Sequence, residues 1–340
     1  MKGKIKNYFE NLDPKKLQLK KKIKVISVSR LGQGANNLNY LVKTNLGKFI
    51  FRLNADLKNK TKSGKEFNSL RIVKNSRIAP RAYLFDDSRK DFDSDFIILD
   101  YLDGELCTKV CPYFDEKMIR ALAQLLSKIH RIKISNKMRK EFSCRFLDYE
   151  SHINEMKDLG YIKKSINNKE FLRIIECSIG NLEKKILNKK IKSGQVLSQG
   201  DFRKGNIIVN NGKYFLIDFE RLGITNKSSA LAHIFVNFKQ AAFTKKQQEI
   251  FLDEYKKHVK VNKEIEEEIN NCISLMAMVL FLWSIEFTLK IKNKEMYLKF
   301  IEKSNHKKNV GYAINCFKRA LKFGAIDNKY KNFNLYKVLI

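Results

Sequence analysis

Between Lys24 and Tyr101 short apolar runs alternate with polar and Gly-containing turns, the pattern of strands. The pattern predicts strands over 25–28, 38–42, 48–53, 79–86 and 95–101, with a helix over 64–75. The first three strands make a meander, turned at 30–37 and again at 44–47. Beyond Gly104 the apolar spacing becomes three and four. Met118, Ile119, Leu122, Leu125, Leu126 and Ile129 mark a helix that ends at His130. Two or three basic helices follow over 142–188, punctuated by Gly160 and Gly180, and further helices over about 228–242, 245–259, 264–290, 294–303 and 311–323. One stretch interrupts this helical half. It reads as a strand over 195–198, a polar loop over 200–205, and two apolar runs, 206–209 and 214–219, joined by Asn210-Asn211-Gly212-Lys213. Asn-Gly between alternating runs is a strong hairpin signal. The class is α+β: a small β-rich lobe over about 23–101 and a large, mostly helical lobe over about 104–340. Residues 1–22 are basic and predict a solvated lead-in helix.

The interrupting stretch carries the chemistry. Asp201, Asn206 and Asp218 stand at its strand ends, and the hairpin folds Asp218 back beside the loop holding the other two. Such a set suits phosphoryl transfer. Asp201 would accept the proton of an attacking hydroxyl, and Asn206 and Asp218 would offer oxygens to Mg²⁺, with nucleotide phosphates completing its shell. The spacing from Asp201 to Asn206 is the D-x-x-x-x-N of kinase catalytic loops, and Asp218 stands where the D-F-G aspartate would. Upstream, the turn containing Gly32, Gly34 and Asn37 lets backbone N–H groups approach phosphates closely, which makes it the candidate ATP-covering loop. Arg52 is the single charge among the apolar residues 49–53 of the third strand, where protein kinases keep a phosphate-binding Lys. Glu66, on the next helix, is its candidate partner. Arg203 is a candidate for stabilising transition-state charge.

QGDFRKGN followed by LIDFE resembles the H-G-D-x-x-x-x-N and I-D-F/W-E motifs of the aminoglycoside phosphotransferase and choline kinase superfamily. The resemblance spans about 25–283 and is nearest to choline- and ethanolamine-kinase-like members, which also place an Arg at the Arg52 position. It implies a bilobal protein-kinase-like fold, ATP and Mg²⁺ as cofactors, and a small-molecule hydroxyl as acceptor. Choline or ethanolamine leads; an aminoglycoside, thiamine or a sugar is the alternative. Gly34, Asn37 and Tyr40 fit the superfamily's G-x-x-N-x-x-Y/F pattern. FIILDYLDGE resembles its L-x-E-Y-I-x-G, which implies that the backbone from Asp100 to Leu102 holds adenine. Tyr255 and Trp283 fall in segments resembling those near the acceptor pocket. An aromatic face there binds quaternary ammonium by cation–π attraction, and Glu220 suits a cationic alcohol. Simple core packing is the other reading of both aromatics, and His130 reads as a packed residue. Two departures stand out: Gln199 replaces the usual His before Gly-Asp, and Ala230 takes the slot of an Asp that braces the catalytic loop. No A-P-E follows Asp218, since the prolines are Pro14, Pro80 and Pro112, so a protein substrate is not expected.

Charge adds a competing class. Lys and Arg total 68 against 36 acids, a net charge of +32 spread along the chain. Such a field attracts nucleotides, nucleic acid or anionic membranes; a compositional bias toward Lys, Asn and Ile gives the same excess. A catalytically weak kinase fold binding RNA or membrane is therefore the alternative, and the intact Asp201–Asn206–Asp218 set argues against it. The six cysteines form no C-x-x-C pair, and the N-terminus lacks an apolar signal core, both expected of a cytoplasmic protein. The most apolar stretch, 272–285, is shorter than a bilayer span and predicts a buried helix.

Overall fold

The alternation before residue 101 becomes a five-stranded antiparallel sheet, in the order β1-β2-β3-β5-β4. The strands are β1 (Val25–Gln33), β2 (Asn37–Thr44), β3 (Gly47–Asn54), β4 (Ala82–Asp86) and β5 (Phe96–Asp100). The computed structural model describes residues 1–33, 37–54, 62–111, 115–144, 146–237, 243–294 and 306–340. β1 continues to Gln33, through residues whose glycines read as a turn. Gly34 lies outside the described residues. β3 lies between β2 and β5, with Arg52 opposite Asn39 on one side and Ile97 on the other. The two-residue period puts Phe49, Phe51 and Leu53 on one face and Arg52 on the other.

The chain divides into two compact units, residues 1–115 with 199–222 and residues 116–198 with 223–340. By its contacts, the segment holding Asp201, Asn206 and Asp218 thus groups with the N-terminal sheet.

The core of the first unit is aromatic. Phe51 stacks on Phe96 with ring centres 4.7 Å apart, and Phe92 lies 4.9 Å from Phe51. The helix α1 (Lys2–Asn11) closes this core, which corrects the expectation of a solvated lead-in. Ile5, Tyr8, Phe9 and Leu12 recur at i, i+3, i+4 and i+7, so they share one face despite the lysines between them. Ile5 and Phe9 are fully buried. After α2 (Lys62–Val73) and the sheet, the short strand β6 (Glu105–Leu106) leads into the helical turn α3 (Cys107–Val110). β6 pairs with Ile207–Asn210, which pairs with Lys213–Leu216. Asn211 and Gly212 both have positive φ, 47° and 74°, as the two-residue hairpin turn requires. Gly104 cannot carry a side chain: at φ +125° its Cβ would lie 2.4 Å from the Val209 carbonyl oxygen.

The second unit is helical, apart from the antiparallel pair Gln195–Ser198 and Gly223–Asn226. Its axis is the 30-residue helix Lys263–Lys292, packed against Lys227–Asn237 and His306–Lys322. This helix is longer than the apolar stretch within it. Among the described residues it alone is long and apolar enough to cross a membrane by length and composition, yet 72% of its apolar window is buried in the protein. Gly180 lies inside the helix Lys169–Ile186 instead of ending one, in open space and at a cost of about 1 kcal/mol relative to Ala. Most of the helix expected over 294–303 lies outside the described residues, as does 238–242 of the one expected over 228–242.

Candidate active site

The loop after Gln195–Ser198 turns sharply at Gly200, where φ is +83° and a Cβ would meet the Arg221 carbonyl oxygen at 2.4 Å. Asp201 follows at once. Its carboxylate oxygen Oδ2 accepts two bonds, from Arg203 Nε at 2.7 Å and from Asn206 Nδ2 at 2.8 Å. The other oxygen, Oδ1, carries neither of these bonds. Asn206 Nδ2 also donates to the Asp201 carbonyl at 2.9 Å, so the amide nitrogen is engaged with Asp201 and its Oδ1 remains as an acceptor. The Ile217 N–H donates to the Asn206 carbonyl at 2.9 Å, so the hairpin return is tied to the loop. The second hairpin strand stops at Leu216, because Asp218 adopts a left-handed backbone with φ 65°. That conformation costs a non-glycine residue on the order of 1–3 kcal/mol and clusters at functional sites.

Asp218 is the most perturbed acid of the site. Burial first, then the charges of Glu220 and Glu66, push its carboxyl up to about 6, with Asp201 adding to the rise and Arg52 opposing it. Its Oδ1 is buried without a hydrogen-bond partner. A buried carboxylate oxygen with no donor suits a nearby cation, and Asp218 with the Asn206 side-chain amide oxygen is a donor set of the kind Mg²⁺ takes. Among the described residues no three His, Cys, Asp or Glu side chains gather as a complete metal cage. Mg²⁺ commonly takes only one or two protein carboxylates and completes its shell with phosphate and water.

Arg52 and Glu66 form the expected ion pair, with side chains 13% and 3% exposed. Arg52 Nε also donates to Asn39 Oδ1 at 2.9 Å. Burial works against the guanidinium charge. Glu66, by charge and hydrogen bond, and then Asp218 and Glu220 outweigh it and hold Arg52 above its ordinary range. Asp201, Asn206, Asp218, Glu220, Arg52 and Glu66 therefore all belong to the first unit.

Two further side chains anchor the loop: Gln199, which the sequence marked as a departure from the usual His, and Lys204, which the sequence reading missed. Gln199, fully buried, donates from Nε2 to the carbonyls of Ile217 at 3.1 Å and Asp218 at 2.6 Å, while its Oε1 accepts the Asp201 N–H at 2.9 Å. Lys204 is buried and donates to the Cys111 carbonyl at 2.7 Å, fastening the loop to the turn after α3. In the sequence Lys204 is one lysine among many; its only local signal is its place between Arg203 and Gly205.

Comparison with known proteins decides the family. Residues 27–261 match the family model APH, described as Phosphotransferase enzyme family. The chain belongs to the APH family. It is a small-molecule phosphotransferase by that membership. No curated protein sequence matches it. Among solved structures, a Plasmodium vivax ethanolamine kinase superposes with TM-score 0.62 at 18% identity, covering 93% of this chain and 85% of its own. A choline/ethanolamine kinase family protein from Mesorhizobium loti gives 0.63 at 13%, covering 99% and 98%. A spectinomycin phosphotransferase in complex with ADP and spectinomycin gives 0.60 at 14%, covering 89% and 95%. At these identities the likeness establishes a shared kinase-like fold.

The remaining candidates of this APH-family chain lie in different settings. At the end of β5 the Asp100 side chain accepts from the Tyr83 hydroxyl and the Arg81 N–H, and the Tyr101 N–H that follows goes to the Lys48 carbonyl. Leu102 follows, half-buried. Gly32 ends up near the close of β1 and Asn37 opens β2. In the second unit Tyr255 is fully buried, and its hydroxyl meets His130 Nδ1 at 2.6 Å. The packing reading of His130 holds, and Tyr255 is its partner in the helical core. Trp283 is 47% exposed, stacked on Phe287 at 5.1 Å with Tyr312 edge-on at 6.3 Å. Ala230 is buried in the helix Lys227–Asn237.

Proposed function

We propose that this chain transfers the γ-phosphoryl group of ATP to a hydroxyl of a small amino alcohol of the choline or ethanolamine kind. The observation that carries the reading is the bonded set around Asp201. Arg203 and Asn206 occupy one carboxylate oxygen, which leaves Oδ1 to take the acceptor's proton. The acceptor oxygen then forms its bond to phosphorus as the bond to the ADP oxygen breaks. Mg²⁺, held by Asn206 and Asp218, would neutralise charge on the phosphates. Arg52, fixed by Glu66, would bind phosphate, and Arg203 would share the charge that develops in transfer. The ATP-covering role of Gly32, Gly34 and Asn37 and the adenine contact at Asp100–Leu102 belong to the same proposal.

The acceptor class rests on the sequence resemblance around Arg52 and on the exposed ring of Trp283, the property a cation-binding aromatic needs. Glu220 favours a cationic acceptor by charge. Tyr255, being fully covered, supports the helix fold instead of offering a face. The six cysteines are all free, in keeping with a reducing cytoplasm.

The test is ADP release from Mg-ATP against choline, ethanolamine, thiamine, kanamycin, simple sugars and a blank. Acceptor-dependent release is expected with an amino alcohol, with a loss of at least about a hundredfold in Asp201→Asn. Full turnover in Asp201→Asn would sink the mechanism. Release with kanamycin alone would move the acceptor to the aminoglycosides.

A further inference from the structure

We propose that the segment from Lys20 to Ile26 is a peripheral docking site for an anionic phospholipid surface, a function separate from phosphoryl transfer. Residues 14–28 contain six lysines and neither an acid, an arginine nor an aromatic ring. Two of the six stand apart. Asp13 accepts the Lys15 N–H at 3.0 Å, and Lys16 shares a groove with Asp13, Asp86 and Asp91. The other four, Lys20, Lys21, Lys22 and Lys24, are exposed, and among the described residues none of them pairs with an acid. Glu10 comes to the end of this stretch, where it accepts the Val25 N–H at 3.2 Å. The backbone that carries the four is fixed. Leu17 and Ile23 are buried in the aromatic core. Asn45, in the turn between β2 and β3, holds the chain with three bonds. Its N–H donates to the Lys24 carbonyl at 3.0 Å, its Oδ1 accepts the Lys24 N–H at 2.8 Å, and its Nδ2 donates to the Lys22 carbonyl at 3.4 Å. The four ammonium groups are therefore presented by an ordered loop, and docking has little backbone entropy to overcome.

Ile26 is the second, independent observation. β1 is an edge strand of the sheet. Val25 faces Thr44 and Ser27 faces Lys43, so Ile26 is the extra residue of a bulge. Its side chain is 71% exposed, the most of any large hydrophobic among the described residues. Lysines and a bulge also guard a sheet edge against pairing with another chain. An isoleucine set outward on the bulge works against that guard. A membrane uses both features: the lysines are drawn to anionic headgroups, and an aliphatic side chain enters the boundary of the acyl region. A nucleic acid would use the lysines alone, because the segment offers no ring for a base to stack on.

The full-length chain would be sedimented, without nucleotide, with vesicles of phosphatidylcholine alone or with about 30% phosphatidylserine. Wild type should partition onto the anionic vesicles only, and about 0.5 M salt should release most of it. Lys20→Gln, Lys21→Gln, Lys22→Gln and Lys24→Gln together should lower the partition coefficient at least about a hundredfold. Ile26→Ser should lower it about fivefold at unchanged charge. A control with Lys184→Gln, Lys185→Gln, Lys189→Gln and Lys190→Gln removes the same charge from exposed positions of the second unit and should change it less than about threefold. Thermal melting and ADP release in solution should match wild type in all three variants. The docking role falls if wild type ignores anionic vesicles, if the control loses as much as the Lys20–Lys24 variant, or if Ile26→Ser binds as wild type does. Retention of polyuridylate without vesicle binding would give these lysines to nucleic acid and overturn the membrane assignment. The vesicle measurement contains no ATP, so its failure leaves the phosphoryl-transfer reading standing.

Discussion

Glu66→Gln removes one charge of a nearly dry ion pair and keeps its shape. The side chains of Arg52 and Glu66 are 13% and 3% exposed, so the guanidinium left behind has little water to turn to. Breaking such a pair from one side costs about 3–5 kcal/mol. Two features hold the cost to the lower end. Asp218 and Glu220 still act on Arg52, and its bond to Asn39 at 2.9 Å survives. The expected loss is about 3 kcal/mol. In urea, with a slope of about 1–3 kcal/mol per M, the midpoint should fall by roughly 1–3 M. The double variant Arg52→Met with Glu66→Gln removes both charges and should regain part of that stability while staying inactive, so a double-mutant cycle isolates the pair. A Glu66→Gln chain less than about 0.5 kcal/mol below wild type would refute the claim that this pair is a dry one on which β3 depends.

Other perturbations probe other parts of the molecule. Gly200→Ala places a Cβ 2.4 Å from the Arg221 carbonyl at φ +83°, so a loss of at least about 2 kcal/mol in chemical unfolding and a steep fall in ADP release are expected. Phe9→Ala should cost about 3–5 kcal/mol by the same unfolding measurement, since the ring is fully buried against the sheet; a cost near zero would return α1 to the solvent. Burial holds His152 down to about 4 from 6.5, against the opposing charge of Asp148. The unfolded chain therefore takes up the proton first as pH falls: the contribution is complete above pH 6.5 and is lost as pH drops toward 4. The gap amounts to about 3 kcal/mol. His152→Gln should flatten the acid limb of the stability curve relative to wild type, and parallel limbs would contradict a neutral, buried imidazole.

Much of the site was legible because its chemistry is local. Asn211-Gly212 dictates a turn, the turn dictates the hairpin, and the hairpin returns Asp218 to the loop of Asp201 and Asn206. Arg52 was legible as a lone charge in an apolar strand, and Glu66 as an acid at a suitable distance along the next helix. What stayed hidden depends on contacts distant in sequence. The lysines of α1 mask a stripe whose purpose appears only once Phe51 and Phe96 are there to receive it. Lys204 cannot be told from a surface lysine until the Cys111 carbonyl is in place. Tyr255 offers the same letter to an acceptor pocket and to a packed core, and only the nearness of His130 separates the two. Gln199 read only as a departure from the usual His, because a sequence does not show how many partners one amide can reach.

The first unit is assembled from two separated lengths of chain, 1–115 and 199–222, with part of the other unit synthesised between them. On the ribosome the sheet and α1 emerge early, but Asp201, Asn206 and Asp218 arrive only after 116–198 has left the tunnel. The nascent N-terminal piece must wait with its docking surface for that later segment exposed, a pairing of long sequence separation that is slow to close. A chain that stalls or is cleaved before Gly200 can build the sheet and still lack every residue assigned here to proton transfer or metal binding. Partial synthesis thus leaves no half-active kinase behind.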